Sequence, residues 1–485
     1  MSTICQPLLD DPADLFTQLY DALDDDLFRT EEAQGWLTSE RVQEIAAIVE
    51  EQLIAQGTLN GEEVEESIEF AADSEERIFA HLLGLDRAFS YVNPLTATYD
   101  PAALLPLSSR YVLTGQFNTE NTTGALLPRV AFPGREILDV ETRADAFVSV
   151  VRVPQDVWER TDHSKIRNDA DFGRRDRERG IAVACIPFLA DPNELTWQVE
   201  RRGGRPRFRI APKRGDQTRD RVGRLVRALD DLGANVVVVP ELCLSAELLE
   251  TWQQVLAESL PLPGSVLRWI FVGTGSVALE EPPRNRGVLL DRSGDILLSQ
   301  DKLYAFTITT EQLRDWRLTE LLGEETAVES LARGDRITVA ESGIGRLVIL
   351  ICEDLSRVSD LSNPLVAHGV SLALAPVFSK PTLEHHWEHS HAKVYAQAAG
   401  TQVVISNSLV VARLMGEEHA GTSLAHSPDG HEVGRSENEE TISMFRLSAW
   451  RHPQVMGGLR IEPADVDPEE PERSSREFGT RFVDP

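Results

Sequence analysis

Cysteine is scarce in this chain: only four of its 485 residues are cysteines, at positions 5, 185, 243 and 352. They form no Cys-x-x-Cys pair and no regular spacing, which excludes the disulfide framework of a small secreted domain. A reducing cytoplasm suits such a chain, because it would keep a nucleophilic thiol free.

Two kinds of segment are absent. The N-terminus lacks the basic start and apolar run of a signal peptide. No apolar stretch approaches the roughly 20 residues that cross a bilayer. We therefore expect a cytoplasmic protein without a membrane partner.

An excess of basic residues is also missing. The chain holds 48 Lys and Arg against 79 Asp and Glu, a net charge of −31. Phosphates attract basic patches, so this balance argues against a nucleic-acid partner.

Charge and the pattern of apolar residues divide the chain into four parts. Residues 1–90 are acidic and show apolar residues at helical spacing, which predicts a helical domain with a second helix over Glu62–Leu83. Its acidic surface could recognise a protein partner. Residues 91–177 form a connecting region, and their sequence pattern predicts no definite secondary structure. Residues 178–455 form the third part, and residues 456–485 read as an acidic tail containing proline.

The third part alternates short apolar runs with helical stretches, a pattern typical of an α/β layered domain. Four consecutive valines at 236–239 indicate a strand that is covered on both faces. The predicted strands are 181–186, 235–240, 269–272, 288–290, 296–298, 347–352, 371–375 and 402–406.

Three residues with reactive side chains follow predicted strands. Glu241 comes after the valine run, Lys302 follows a hairpin that turns at Ser293-Gly294, and Cys352 ends an apolar strand. Open α/β sheets bind ligands at the carboxyl ends of their strands, where these groups could converge. Taken singly, each residue has an ordinary explanation. Glu241 could favour the start of a helix, Lys302 could face solvent, and Cys352 could be a buried core residue.

Together, these segments and their flanks resemble the carbon–nitrogen hydrolase (nitrilase) superfamily. The resemblance covers about 178–455 and rests on Pro240-Glu241-Leu242, Asp301-Lys302-Leu303 and Ile351-Cys352-Glu353-Asp354-Leu355, with His386-Trp387-Glu388 opening a late helix. It implies a four-layer α-β-β-α sandwich for this part of the chain, behind the mainly helical N-terminal domain that the apolar spacing of residues 1–90 predicts. It also implies a catalytic triad of Glu241, Lys302 and Cys352, and assembly as a homo-oligomer.

The family often has a second active-site glutamate before a glycine, and here Glu325 and Glu329 both precede Gly334. Two features depart from the family pattern. Its late helix usually carries a glutamate, which the stretch from Ala396 to Ala399 lacks. A basic segment at 201–220 is not expected in the family. We interpret it as an exposed loop, with a selectivity or docking element as the alternative.

This triad implies hydrolysis through a cysteine thioester. Glu241 would act as the base, and Lys302 with the backbone N–H of Glu353 would stabilise the oxyanion. No metal and no cofactor are needed. Two other features resemble functional sites, and we assign neither of them a role in catalysis. The histidines at 385, 386, 389 and 391 could suggest a metal site, and Cys243 could be mistaken for the nucleophile.

We therefore predict hydrolysis of a non-peptide carbon–nitrogen bond in a small molecule, an amide rather than a nitrile. Three alternatives stay open: a glutaminase-like subunit that supplies ammonia to a partner, acyl transfer to an amine, and a nitrilase-like regulatory or partner-binding module.

Overall fold

The computed structural model of the chain describes residues 7–23, 27, 30–69, 73–93, 101–119, 123–129, 147–167, 172, 181–213, 215, 218–259, 261, 264–277, 282–381, 386–417, 423–426, 432–435, 441–449, 459–463 and 478–479. The chain divides into two compact units. Unit 1 comprises residues 1–161, 363–369 and 451–457, and unit 2 comprises the remainder. Among the described residues, no helix is long and apolar enough to cross a membrane.

Unit 1 is mainly helical, as the apolar spacing of residues 1–90 predicts. Its elements are α1 Pro12–Asp21, α2 Glu31–Trp36, α3 Glu40–Gln56, α4 Gly61–Glu69, α5 Ser74–Phe89, 3₁₀ turns Ser90–Val92 and Ala102–Leu104, α6 Leu105–Thr114, β1 Ala125–Pro128, β2 Val150–Val153 and α7 Gln155–Trp158. The single helix predicted over 62–83 is wrong: α4 ends at Glu69 and α5 begins at Ser74. Both helices bury apolar residues in one core, so their combined spacing resembles that of one longer helix.

A buried carboxylate ties α5 of unit 1 to the start of β2. Asp86 accepts hydrogen bonds from the backbone N–H groups of Val148, Ser149 and Val150, at 2.9, 2.8 and 3.1 Å. Burial raises the pKa of Asp86 to about 6, although these three donors oppose the rise.

Unit 2 carries most of the strands. They are β3 Thr161–Lys165, which begins at the unit boundary, β4 Ile181–Cys185, β5 Leu195–Arg202, β6 Arg205–Pro212, β7 Val236–Val238, β8 Leu244–Ser245, β9 Trp269–Ser276, β10 Arg286–Asp291, β11 Ile296–Asp301, β12 Thr307–Ile308, β13 Ala327–Glu329, β14 Ile337–Ser342, β15 Gly345–Ile349, β16 Val370–Val377, β17 Gln402–Asn407, β18 Ser423–His426, β19 Glu432–Arg435, β20 Thr441–Ala449, β21 Leu459–Pro463 and β22 Phe478–Gly479. Each of the eight predicted strands overlaps one of these.

The helices after unit 1 lie between these strands. They are the 3₁₀ turn Pro192–Glu194, α8 Thr218–Leu232, α9 Ala246–Glu258, α10 Thr310–Asp315, α11 Thr319–Leu322, α12 Glu353–Ser356, α13 Val358–Ala367, which extends into unit 1, α14 Trp387–Ala399 and α15 Val410–Met415.

Two large sheets form the centre of unit 2. The first has the strand order β11-β10-β9-β7-β4-β20-β21, with β8 beside β9 and β22 beside β20, and the second has the order β19-β18-β17-β16-β15-β14-β3. The sheets contact each other directly: the Ser406 hydroxyl of β17 donates to the carbonyl of Val238 in β7 at 3.1 Å.

Helices cover the outer faces. Residues of α8 and α9 share a hydrophobic core with the first sheet, and α14 packs on β17 and β18 of the second. Unit 2 is therefore the four-layer α-β-β-α sandwich that the resemblance implies.

A third, four-stranded sheet has the order β12-β13-β6-β5. Its strands β5 and β6 form a hairpin that turns at Gly203 and Gly204, which both have positive φ, as a tight hairpin turn requires. The prediction of an exposed loop at 201–220 is therefore wrong: the segment contributes the end of β5, β6 and the start of α8. Strand β6 pairs in parallel with β13, which carries Glu329.

Candidate active site

Glu241 lies just beyond the buried strand β7, where the chain turns sharply. The following residue, Leu242, has a φ of 61°, and Gly273 of the neighbouring strand β9 leaves room for the turn. A Cβ atom on Gly273 would lie 2.8 Å from the carbonyl oxygen of Pro240. The Glu241 side chain is buried, so its carboxylate depends on nearby donors.

Lys302 is the main hydrogen-bond donor to the Glu241 carboxylate. It follows β11 and is buried, and its Nζ donates to Oε1 of Glu241 and to Oε2 of Glu329, each at 2.7 Å. The amide of Asn285 bridges the same carboxylates, since its Nδ2 lies 3.0 Å from Glu241 Oε1 and 3.1 Å from Glu329 Oε1. An ammonium and an amide thus hold two glutamates in one buried network.

The two candidate second glutamates are placed very differently. Glu329 ends β13, is buried, and accepts a further hydrogen bond from the backbone N–H of Phe306 at 3.1 Å. Glu325 is exposed and pairs with Arg201 of the β5–β6 hairpin at 2.9 Å. Only Glu329 belongs to the network around Lys302.

Cys352 lies at a turn between strand and helix. Strand β15 ends at Ile349 and α12 begins at Glu353, and Cys352 between them has a φ of 48° and a ψ of −99°. Such a backbone is strained in a residue with a side chain, and strain of this kind clusters at functional sites. The Cys352 thiol lies close enough to the Glu241 carboxylate and to the backbone N–H of Phe378 for each of them to shift its pKa.

Asp354 connects the segments that carry Cys352 and Lys302. Its carboxylate accepts from the backbone N–H groups of Leu303 at 3.1 Å, Tyr304 at 2.9 Å and Ile351 at 3.3 Å. Burial raises the pKa of Asp354 to about 7, and the charge of Lys302 opposes that rise. The sequence showed Asp354 as part of the motif, but its link to the lysine segment spans about fifty positions and had no visible signal.

Burial sets the protonation of the network. It raises the pKa of Cys352 well above its usual range, and the negative charge of Glu241 adds to the rise, while Lys302 opposes it. Burial likewise raises the pKa of Glu241. Burial alone would lower the pKa of Lys302, but Glu241 and Glu329 outweigh it and raise that pKa. The resting pair is therefore a thiol beside an acceptor, and a thiolate forms only on proton transfer.

The other described cysteines are core residues. Cys185 and Cys243 are buried and lie close to the carbonyl oxygens of Ile405, at 3.7 Å, and Phe188, at 3.0 Å. Burial raises the pKa of both thiols. Neither hydrogen-bonds to a carboxylate among the described residues.

Cys352 opens onto a cavity of about 470 Å³. Aromatic, acidic and basic side chains line it: Phe306, Glu311, Gln312, Asp315, Trp316, Cys352, Glu353, Ser356, Phe378, Ser379, Lys380, His386, Trp387 and His391. Glu353 begins α12, and its backbone N–H is a first-turn donor with no intrahelical acceptor. A substrate carbonyl could therefore meet the thiol here.

The histidine cluster is dispersed around α14. His386 caps the helix and His391 faces the cavity, whereas His389 packs against the ring of His426. His385 lies outside the described residues. No group of three metal-binding side chains occurs in the part of the chain that the structure describes.

Parts of the chain are similar to known proteins. Residues 211–449 match the model of the carbon–nitrogen hydrolase family. A deaminated glutathione amidase of Yersinia enterocolitica is 26% identical over 249 residues, which cover 48% of this chain and 82% of that protein. Two solved structures are similar at 15% identity and a TM-score of 0.38. They are an amidase from Nesterenkonia sp., covering 59% of this chain and 94% of that one, and Saccharomyces cerevisiae Nit3 of the nitrilase superfamily, covering 57% and 91%.

Proposed function

Because this chain belongs to the carbon–nitrogen hydrolase family through residues 211–449, we propose that it hydrolyses a small-molecule amide through a thioester on Cys352. The observation that supports this most strongly is the network itself. The Cys352 thiol lies beside the Glu241 carboxylate, and the Nζ atom of Lys302 lies 2.7 Å from that same carboxylate. An amide is favoured over a nitrile because the curated relative is an amidase.

In the first step, Glu241 accepts the thiol proton as Sγ of Cys352 attacks the amide carbonyl carbon. The raised pKa of Glu241 makes it a stronger base, closer in pKa to the thiol it must deprotonate. The carbonyl π electrons move to oxygen and form a tetrahedral oxyanion.

Lys302 and the backbone N–H of Glu353 stabilise this oxyanion. A lysine ammonium has three N–H donors, and two of those of Lys302 point to Glu241 and Glu329, which leaves one for the substrate oxygen. Glu329 contributes by fixing the ammonium in place, and Asn285 orients both carboxylates.

The intermediate collapses when Glu241 returns its proton to the leaving nitrogen. The carbon–nitrogen bond breaks, ammonia or an amine departs, and the acyl group remains on Cys352. Glu241 then takes a proton from water, whose oxygen attacks the thioester. Collapse releases the acid, and the proton returns to the thiolate.

A panel of primary amides and matched nitriles tests this function. Wild type should release ammonia and the carboxylic acid in equal amounts from an amide, and Cys352→Ala should release neither. Ammonia release that survives in Cys352→Ala would contradict the proposal. The homo-oligomer and a protein partner of the N-terminal domain remain predictions.

A further inference from the structure

The walls of the active-site cavity are aromatic. Phe306 and Trp316 stack on each other with ring centroids 6.0 Å apart and planes inclined by 16°, and Phe378 and Trp387 also line the space. Aromatic faces carry negative potential and attract cations that lie within about 6 Å of a ring centroid. A cavity of about 470 Å³ also falls in the size range of small-molecule sites, so it accommodates an acyl chain as well as the reacting amide.

Acidic residues predominate among the charged side chains of this cavity. Glu311, Asp315 and Glu353 carry negative charge and Lys380 carries positive charge, so these four side chains have a net charge of −2. Glu353 pairs with Arg357 at 2.5 Å, and Lys380 lies 3.9 Å from Asp315.

Glu311 is the acid that remains without a counter-charge. Its side chain forms no ion pair or hydrogen bond with any described residue. The partner of Lys380 is Asp315, so the ammonium adds no net positive charge that would attract a substrate carboxylate. The cavity therefore presents one uncompensated negative charge beside aromatic rings.

We propose that the substrate of this site is an amide whose acyl chain ends in a positively charged group, an alkylammonium or a guanidinium. This inference rests on the proposed amidase function. The amide carbon lies at Cys352, the chain crosses the aromatic walls, and the cationic end lies near Glu311. An anionic end would instead meet Glu311, Asp315 and Glu353.

The test compares three series of primary amides with the same chain lengths and different ends: amino, methyl and carboxylate. The kcat/KM values are measured for wild type, for Glu311→Gln and for Glu320→Gln. Glu320 is an exposed acid on α11 that does not line the cavity, so it matches the charge change without touching the site.

Wild type should prefer the amino-terminated amide to its methyl-terminated match. Glu311→Gln should reduce that preference about fivefold, the upper range for a partly exposed charge pair, and Glu320→Gln should keep it. Added salt should also reduce the preference, because it screens exposed charges. Equal kcat/KM for the amino and methyl ends would overturn the inference. So would a preference for the carboxylate end that Lys380→Met abolishes.

A binding measurement tests the inferred substrate class independently of the proposed amidase reaction. Calorimetry with Cys352→Ala compares the three ends without turnover. Tighter binding of the amino-terminated amide supports the substrate class even if wild type hydrolyses none of the series, an outcome that would count against the proposed function alone. Equal binding, or no binding of the amino-terminated amide, overturns the substrate class.

Discussion

The ammonium of Lys302 lies 2.7 Å from the carboxylate of Glu329, inside the protein and close to the reactive thiol. The lysine therefore depends on a residue that is not one of the three in the predicted triad. If Glu329 fixes the ammonium for the oxyanion, its replacement should slow the reaction even though Glu241, Lys302 and Cys352 all remain.

The first prediction concerns this pair. Glu329→Gln should lower kcat by roughly 100-fold, at the low end of the cost of losing an oxyanion donor, because Lys302 loses its second anchor. Glu325→Gln is the matched control, since this exposed side chain lies four positions earlier and contacts only Arg201 among the described residues. Comparable losses in both variants, at equal stability, would contradict the role of Glu329.

The second prediction concerns Asp354 as a positioning residue. Asp354→Asn removes one carboxylate acceptor from the backbone donors of Leu303, Tyr304 and Ile351, so Lys302 and Cys352 should lose their alignment. We expect kcat to fall about tenfold or more, with KM little changed, because misplaced catalytic groups reduce rate rather than binding. Asp360→Asn is the control: it makes the same change at an exposed carboxylate that accepts from the Tyr304 hydroxyl, and it should leave kcat unchanged.

The third prediction concerns cysteine reactivity. Iodoacetamide should alkylate Cys352 before Cys185 and Cys243, because Cys352 opens onto the cavity beside the carboxylate of Glu241, whereas the other two thiols lie in the core beside carbonyl oxygens. Peptide mapping over time gives the three rates. Glu241→Gln should slow the alkylation of Cys352 selectively, and equal rates for the three thiols in wild type would count against a special role for Cys352.

The fourth prediction concerns pH and unit 1. The pKa of Asp86 rises from its usual 3.8 to about 6 in the folded protein, which corresponds to about 3 kcal/mol. The folded state thus retains a proton that the unfolded state releases between these values. The stability contributed by protonated Asp86 is fully present below about pH 4 and is lost as pH rises through about 6.

Hydrogen exchange of the segment 147–153 measures this effect, because its amides bond to Asp86. In wild type, the free energy of opening should fall as pH rises from about 4 to about 6, after correction for the intrinsic exchange rate. In Asp86→Asn this slope should disappear. An unchanged slope in the variant would show that other groups cause it.

Local sequence patterns predicted eight strands, and all eight lie in the two large sheets. The run Val236–Val239 and its counterparts are apolar on both faces because helices cover one side and the other sheet covers the opposite side. The strand ends that carry Glu241 and Lys302 follow from the same runs. The turn at Cys352 was not predicted: the apolar run continues through Ile351, but β15 ends at Ile349.

Contacts between residues far apart in sequence determine which of the two candidate glutamates belongs to the site. Glu325 and Glu329 are equivalent in sequence, and the structure places Glu329, at the end of β13, beside Lys302. The β6 strand had a visible signal that we missed. Phe208 and Ile210 alternate with Arg207 and Arg209, the period-2 pattern of a half-buried strand, inside a segment whose charge suggested a loop.

The measurement that tests the central claim most directly is the intact mass of the protein after rapid acid quenching of its reaction with a substrate amide. A thioester on Cys352 predicts a mass increase equal to the acyl group less one hydrogen. The adduct should map to the peptide that contains Cys352, be released by hydroxylamine and be absent from Cys352→Ala. An adduct on another residue, or turnover in which Cys352→Ala performs as well as wild type, would contradict the account.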